Sequence, residues 1–402
     1  MEPEFPTPAP APPTPDQAAD PLASPESALT TEASPATEPF ASYQEAPEPH
    51  ALRWIFMGGQ GLRAGWSVAI FLALFMLFAY GLGTAASYFL KHVLHTRLGS
   101  ASAASAIFGE GIAVVCLLAA GAIVALIERR RVIDYNLTGP RRLLHFMSGL
   151  AAGFAALSAL VWTMALGGWL HFGPVALTGS LIFKFAALWA VGFLLVGFME
   201  EGSFRCYLQF TLTRGINFWW ALALVGAMCL DLVLRTKGQG VWGVYAFALL
   251  GLLPCLWLHL SQAPRSAFWQ AAWVTSTLFG FIHTGNNGEN WIGIFAAAAI
   301  GFVFCVSVRL TGSAWWAIGC HAAWDWAETY FYGTADSGMT AQGHYLTTSP
   351  TGAALWSGGT DGPEGSLLVL PIVLLLLLAV LALYGRGKPA AALAPATETL
   401  AG

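Results

Sequence analysis

Charge is scarce in this chain. Of its 402 residues, 10% are Asp, Glu, Lys or Arg, against roughly 25% in an ordinary soluble domain. The net charge of −4 is thinly spread and gives no sign of a nucleic-acid partner. No Lys or Arg occurs before Arg53, so residues 1–50 lack the basic start of a secretory signal, and they lack its apolar core as well. The six cysteines form no C-x-x-C pair. That excludes a zinc ribbon or dithiol motif and leaves them as small apolar residues. Also absent are H-E-x-x-H, G-x-S-x-G and a phosphate-binding loop, the local signatures of zinc proteases, α/β-hydrolases and P-loop enzymes.

Apolar residues are what the chain has in excess. They make up 56% of it, with 17 Trp and 10 Tyr to populate the interfacial belts of a multi-pass membrane protein, and the mean hydropathy is +0.62. Residues 1–50, rich in Pro, Ala, Glu, Ser and Thr, cannot bury enough apolar area to offset their ordering entropy and read as a disordered tail. Residues 51–65, with Arg53, Trp54, Phe56 and Arg63, read as a short interfacial helix. From Trp66 onward, runs long enough to cross ~30 Å of hydrocarbon recur. They fall at 66–90, 104–127, 147–170, 184–212, 218–234, 241–260, 267–284, 291–309, 314–332 and 366–385. The expected fold is all-α: a polytopic transmembrane bundle of about 8–10 spans over residues 51–386, followed by a short tail at 387–402. The stretch 184–212 exceeds one crossing, so its end should tilt or emerge.

Arg129, Arg130, Arg131, Arg141 and Arg142 crowd the loop after the second run. The positive-inside rule makes that loop cytoplasmic and puts the N-terminus inside. Ten crossings return the C-terminus to the same side, beside Arg386 and Lys388, and leave the 333–365 loop outside. Arg235 and Lys237 would also fall outside, against the rule.

Ionisable residues interrupt the apolar runs at three places. Glu200 and Glu201 follow the uncharged residues 185–198; a charge at such depth costs at least ~2.5–3.5 kcal/mol and therefore points to function. On a helix Glu201 and Arg205 share a face and can pair, whereas Glu200 is turned about 100° away. An unpaired carboxylate in apolar surroundings suits a general base, and a structural ion pair is the plainer alternative. His283 ends the apolar stretch 276–283, as an interfacial histidine would also do. His321 and Asp325 are four apart on one face, with Glu328 near it. An Asp accepting a ring N–H fixes a histidine's tautomer, and the same pair could simply hold two helices together. Hydropathy alone would separate Glu200 and His283 in depth by roughly 10–15 Å.

Glu200-Glu201-x-x-x-Arg205, Phe279-x-x-x-His283 and His321-x-x-x-Asp325 resemble, in order, the three motifs of the CPBP intramembrane proteases. These include type II CAAX prenyl endopeptidases and the bacteriocin-processing and Abi-type bacterial proteins. The resemblance covers about 180–332 and implies a helical fold enclosing a polar cavity, in a bacterial inner or plasma membrane. In that cavity a glutamate-activated water attacks a peptide bond of a membrane-associated substrate. Position by position, Glu200 matches the catalytic glutamate, Glu201 and Arg205 its supporting pair, and His283 and His321 the two essential histidines. Asp325 stands where Asn is usual, and Cys206 where Gly is usual after the arginine. The gap from Arg205 to His283 is long for the family and fits an inserted hairpin at 218–260. Two chemistries stay open: one Zn²⁺ held by His283, His321 and Asp325, or no metal, with the histidines serving as oxyanion donors beside a glutamate base. Two other functions are compatible: a catalytically silent scaffold or immunity-type protein of the same fold, and a proton-coupled transporter. For the last, no paired Gly/Pro-interrupted segments occur in equivalent halves.

Overall fold

The computed structural model describes residues 55–386 except 60, 97, 100, 238–240 and 287; the tails expected at 1–50 and 387–402 lie outside these. Of the interfacial helix expected at 51–65, Ile55 and Phe56 are helical, but from Met57 the chain departs from it into a tight antiparallel hairpin, β1 (Met57–Gly58) and β2 (Gly61–Leu62), pairing Met57 with Leu62 and Gly58 with Gly61. The glycines explain it. Each costs a helix about 1 kcal/mol, and Gly61 has φ +93, where a side chain would be strained.

Ten helices of more than one or two turns follow, close to the ten apolar runs. They are α1 (Ala64–His92), α2 (Ala103–Ile127), α3 (Arg142–Leu166), α4 (Ser180–Thr213), α5 (Phe218–Thr236), α6 (Val241–Ser261), α7 (Ser266–His283), α8 (Trp291–Thr311), α9 (Trp315–Asp325, continuing to Tyr332) and, after the short α10 (Ala354–Ser357), α11 (Val369–Tyr384). Helices α1–α6 and α8 are long and apolar enough to cross a membrane by length and composition; the remaining three are shorter or carry polar residues. In hydrocarbon each backbone polar group must be satisfied within its own segment, which a helix achieves; α6 carries Pro254 in its interior, where one such bond is lost. Polar residues at the ends start them: Ser102 caps α2 through Ser105 N, Asn217 caps α5 through Trp220 N, and Asn290 caps α8 through Ile292 N and Gly293 N. Outside the helices, β3 (Leu170–Val175) pairs antiparallel with β4 (Leu346–Pro350), tying the loop after α3 to the loop after α9.

Two departures from α geometry bear on function. Helix α4 is π-helical over Gly202–Leu208, and α9 becomes π-helical over Trp326–Tyr332. Each widened turn begins directly after the ionisable residues singled out in the sequence, as π segments at functional sites often do.

The depth of α9 is set by glycine. Gly149 and Gly153 of α3 form a G-x-x-x-G face. A Cβ on Gly149 would stand 2.2 Å from the carbonyl oxygen of Trp316, and one on Gly153 2.0 Å from that of Cys320. From the α9 side, a Cβ on Gly319 would meet the Phe146 carbonyl at 2.3 Å, and Gly197 of α4 lies against Ile318 and Ala322. Close backbone approach through small residues is how helices associate where lipid offers no hydrophobic drive. A side chain at Gly153 must therefore push α9 outward. We expect Gly153→Leu to destabilise the protein by about 1–3 kcal/mol, as overpacking does, and to lower its melting temperature in detergent. Unchanged melting would show that α3 and α9 are not in such close contact.

Candidate active site

Arg205 lies inside the bundle with 0% of its side chain exposed, facing Glu201, also 0% exposed. Its Nε is 3.2 Å from Glu201 Oε2 and its Nη1 3.2 Å from Oε1. The guanidinium sits over the Phe279 ring at 4.4 Å, with Phe304 at 5.3 Å and Phe204 at 5.7 Å, so cation–π attraction replaces part of its lost hydration. Room for it comes from Gly301 of α8, where a Cβ would stand 2.5 Å from Nη2. The π segment carrying Arg205 is held from the other side by Asn136, whose amide donates to the Arg205 carbonyl at 2.7 Å while its own carbonyl accepts from Ala314 N.

Glu201 has a second partner. Its Oε1 accepts from His321 Nδ1 at 2.9 Å, so the order is Arg205, Glu201, His321. This corrects the expected source of His321's orientation, which was Asp325. Asp325 Oδ2 is 3.5 Å from the other ring nitrogen, Nε2, and Glu200 Oε2 is 3.8 Å from that same atom. With Nδ1 donating to Glu201, Nε2 is turned toward the two remaining carboxylates. The 3.8 Å gap is too long for a direct hydrogen bond and suits one bridging water.

A cavity of about 240 Å³ gathers these groups. Its walls include Glu200 from α4, Phe279 and His283 from α7, Phe304 from α8, and His321 and Asp325 from α9. Glu200 and His283, separated in depth by simple hydropathy, therefore share one space. His283 Nδ1 donates to the Phe279 carbonyl at 2.7 Å, which leaves Nε2 as its second polar atom. Glu328 does not line the cavity with His321. The π segment begins between them, so a 3.6-residue wheel no longer gives its direction. The three side chains weighed as zinc ligands, His283, His321 and Asp325, all border the cavity. Among the described residues, however, no three His, Cys, Asp or Glu side chains are arranged to hold a metal ion.

Sequence reasoning missed residues that loops deliver. Asp336, Ser337 and Glu364 line the same cavity. Asp336 Oδ2 accepts from Thr329 Oγ1 at 2.8 Å, and Glu364 Oε1 accepts from Trp324 Nε1 at 2.7 Å. Burial pushes both carboxyls above the usual carboxylate range. Nearby Asp361 is pushed up to about 7 by burial, although a hydrogen bond from Asn290 N opposes the shift. Nothing in local spacing could have found these residues. The G-x-x-x-G at 149–153 was the one missed signal that the sequence did carry.

The Arg205 site yields a prediction. Removing one partner of a buried ion pair leaves the other charge uncompensated, at about 3–5 kcal/mol. Arg205→Ala should therefore lose that much stability, read as lower detergent-solubilised yield and melting temperature, and Arg205→Lys should recover it only in part, because one ammonium cannot reproduce the two-nitrogen contact. Wild-type melting in Arg205→Ala would show the arginine to be dispensable.

Comparison with known proteins adds one match. No curated protein and no solved structure matches the chain. The family model described as Type II CAAX prenyl endopeptidase Rce1-like matches residues 255–327, a stretch that holds His283, His321 and Asp325 and stops short of the glutamate pair. The glutamates enter through the fold, which brings Glu200 and Glu201 onto His321. Over that stretch the chain is similar to the type II CAAX prenyl endopeptidases, and its three ordered motifs fit the CPBP intramembrane proteases.

Proposed function

We propose that the chain is an intramembrane endopeptidase in which Glu200 activates the water that attacks a peptide bond of a membrane-delivered substrate, prenylated CAAX-type peptides being one candidate class. One observation carries the reading: of two adjacent glutamates, one is paired with a buried arginine and the other, among the described residues, is not. Glu201 is engaged by Arg205 and His321. Glu200 borders the cavity with a carboxylate oxygen that has no hydrogen-bond partner. A base must be free to accept a proton, and of the two glutamates Glu200 is the one that no arginine engages among the described residues.

In this mechanism a water sits between Glu200 Oε2 and His321 Nε2. Glu200 takes one of its protons as the oxygen bonds to the scissile carbonyl carbon. The developing oxyanion needs donors. His321 supplies one at Nε2 when its ring is doubly protonated, a state favoured by the three carboxylates around it, Glu200, Glu201 and Asp325. The second histidine, His283, borders the same cavity, with Nε2 left as its second polar atom because Nδ1 serves the Phe279 carbonyl. When the C–N bond breaks, Glu200 returns its proton to the leaving nitrogen. Asp325 holds the Nε2 proton until substrate arrives. The arginine-rich loop at 129–142 orients the bundle with both termini in the cytoplasm.

Glu200→Gln should retain wild-type folding and melting while cleavage falls by about 10²–10⁴, the usual contribution of general-base catalysis. Retained cleavage in well-folded Glu200→Gln would remove this role. Asp325→Asn separates the metal and metal-free chemistries. An amide oxygen can still accept from Nε2, so the mechanism above predicts cleavage within about threefold of wild type, unaffected by chelator. A ligand or ligand-orienting role would instead lose about 10–100-fold, and chelation would abolish wild-type cleavage until zinc was restored.

A further inference from the structure

Polar contacts and close backbone approaches sort the loops into two ends of the bundle. At one end Glu128, which closes α2, accepts from Ser67 of α1 at 2.6 Å and from Arg214 after α4 at 2.6 Å. Trp315 at the start of α9 donates to the Leu137 carbonyl at 3.0 Å, and Tyr384 at the end of α11 meets Ser148 of α3 at 2.7 Å. At the other end Gln342 N donates to the Ala101 carbonyl, Asn290 N to Asp361, and Arg235 to Thr284. Gly288 and Gly338 touch there, so closely that a Cβ on Gly288 would stand 2.2 Å from the Gly338 Cα.

Positive charge divides unequally between the two ends. The first carries the arginines of the 129–142 loop together with Arg214, Arg265, Arg309 and Arg386. The second carries, among the described residues, Lys91, Lys184, Arg235 and Lys237, of which Arg235 is tied to Asp231 and Thr284. The positive-inside rule puts the first end in the cytoplasm and the second on the opposite face. That outer end bears the 333–365 loop, in which no Lys or Arg occurs.

The cavities belong to the outer end. The one bordering Glu200 reaches the loop residues Asn286, Asp336, Ser337 and Glu364. A second, of about 410 Å³, shares Phe193, Asn286, Asp336 and Ser337 with it and continues to Ala101 and Ser102, just before α2. Gly285, Asn286, Gly338 and Met339 in its wall are exposed, Met339 by 57%, which makes them the mouth. Among the described residues, none from 128–142, 214–217, 262–265 or 309–315 lines either cavity. Toward that end the bundle is filled by the Glu201–Arg205 pair, Phe204 and Tyr207, all buried.

A segment about to be cleaved is extended, with backbone N–H and C=O groups that hydrocarbon cannot satisfy. It therefore comes to Glu200 through the mouth and not sideways through lipid. We infer that this mouth faces away from the cytoplasm and that the site takes a polypeptide segment exposed on that face, such as the exported part of a membrane-anchored protein. This rests on the endopeptidase reading and adds to it the side and class of the substrate. A peptide confined to the cytoplasm, a CAAX-type one included, would meet the closed arginine-rich end.

The experiment uses the full chain in sealed vesicles of either orientation, right-side-out and inside-out, from the expressing cells. Met339→Cys marks the mouth, and Ile133→Cys, at a position 43% exposed in the 129–142 loop, marks the opposite end. The six native cysteines are buried or half-buried, and the unsubstituted chain gives their background. With a membrane-impermeant maleimide, Met339→Cys should label at least about tenfold more in right-side-out than in inside-out vesicles, and Ile133→Cys the reverse, as one fixed orientation requires. Labelling of Met339→Cys from the cytoplasmic face or from neither, or labelling of both variants from one face, would overturn the inference. The wild type, offered a lipidated reporter peptide with an impermeant polar half, should cleave it in right-side-out vesicles, and Glu200→Gln should not. Cleavage confined to inside-out vesicles overturns the inference and keeps the endopeptidase. Outward labelling of Met339→Cys without cleavage from either face keeps the outward mouth and contradicts the endopeptidase.

Discussion

A fully buried arginine inside an apolar bundle is the constraint on which the site depends. Arg205 cannot lose its charge, so the fold must compensate it, and it does so with Glu201, three phenylalanine rings and the space left by Gly301. Once Glu201 is committed to that task, its remaining capacity goes to His321 Nδ1. The ring is thereby fixed with Nε2 facing the cavity, and the adjacent Glu200 is left unpaired. Two chemically identical neighbours acquire different roles because only one of them can reach the cation.

Geometry around this pair is held by backbone contacts more than by polar ones. Helix α9 is gripped by Gly149 and Gly153 on one side and Gly197 on the other, which sets the depth of His321 relative to Glu201. The π segments that follow Glu201 and Asp325 re-aim the residues beyond them. Across the first, Arg205 still reaches Glu201 at i,i+4 and offers its carbonyl to Asn136; beyond the second, Glu328 is not among the residues that line the cavity.

Much of this was legible in the sequence, and the reasons differ by element. The ten helices could be read because runs of about 20 apolar residues have few alternatives in a bilayer. The Glu201–Arg205 pair followed from helical spacing, which a single π turn left intact. What was hidden depended on tertiary contacts. His321 takes its orientation from Glu201, 120 residues away, not from Asp325 four residues on. Asp336 and Glu364 arrive on loops whose composition, rich in Gly, Ser and Thr, gives no period to read. The hairpin at 57–62 was misjudged for a local reason, since its glycines were present and outweighed the aromatic and basic pattern taken for a helix. The G-x-x-x-G face at 149–153 was equally visible in a helix that hydropathy alone made featureless.

The division of labour between the two glutamates is most directly tested by melting Glu201→Gln beside Glu200→Gln in the same detergent. Gln at 201 removes the negative charge that compensates Arg205, so the account predicts a marked fall in melting temperature, equivalent to about 3–5 kcal/mol. Gln at 200 removes a charge with no ion-pair partner among the lysines and arginines and should leave melting at or above the wild-type value. Equal melting of the two variants, or loss of stability at 200 alone, would contradict the central claim.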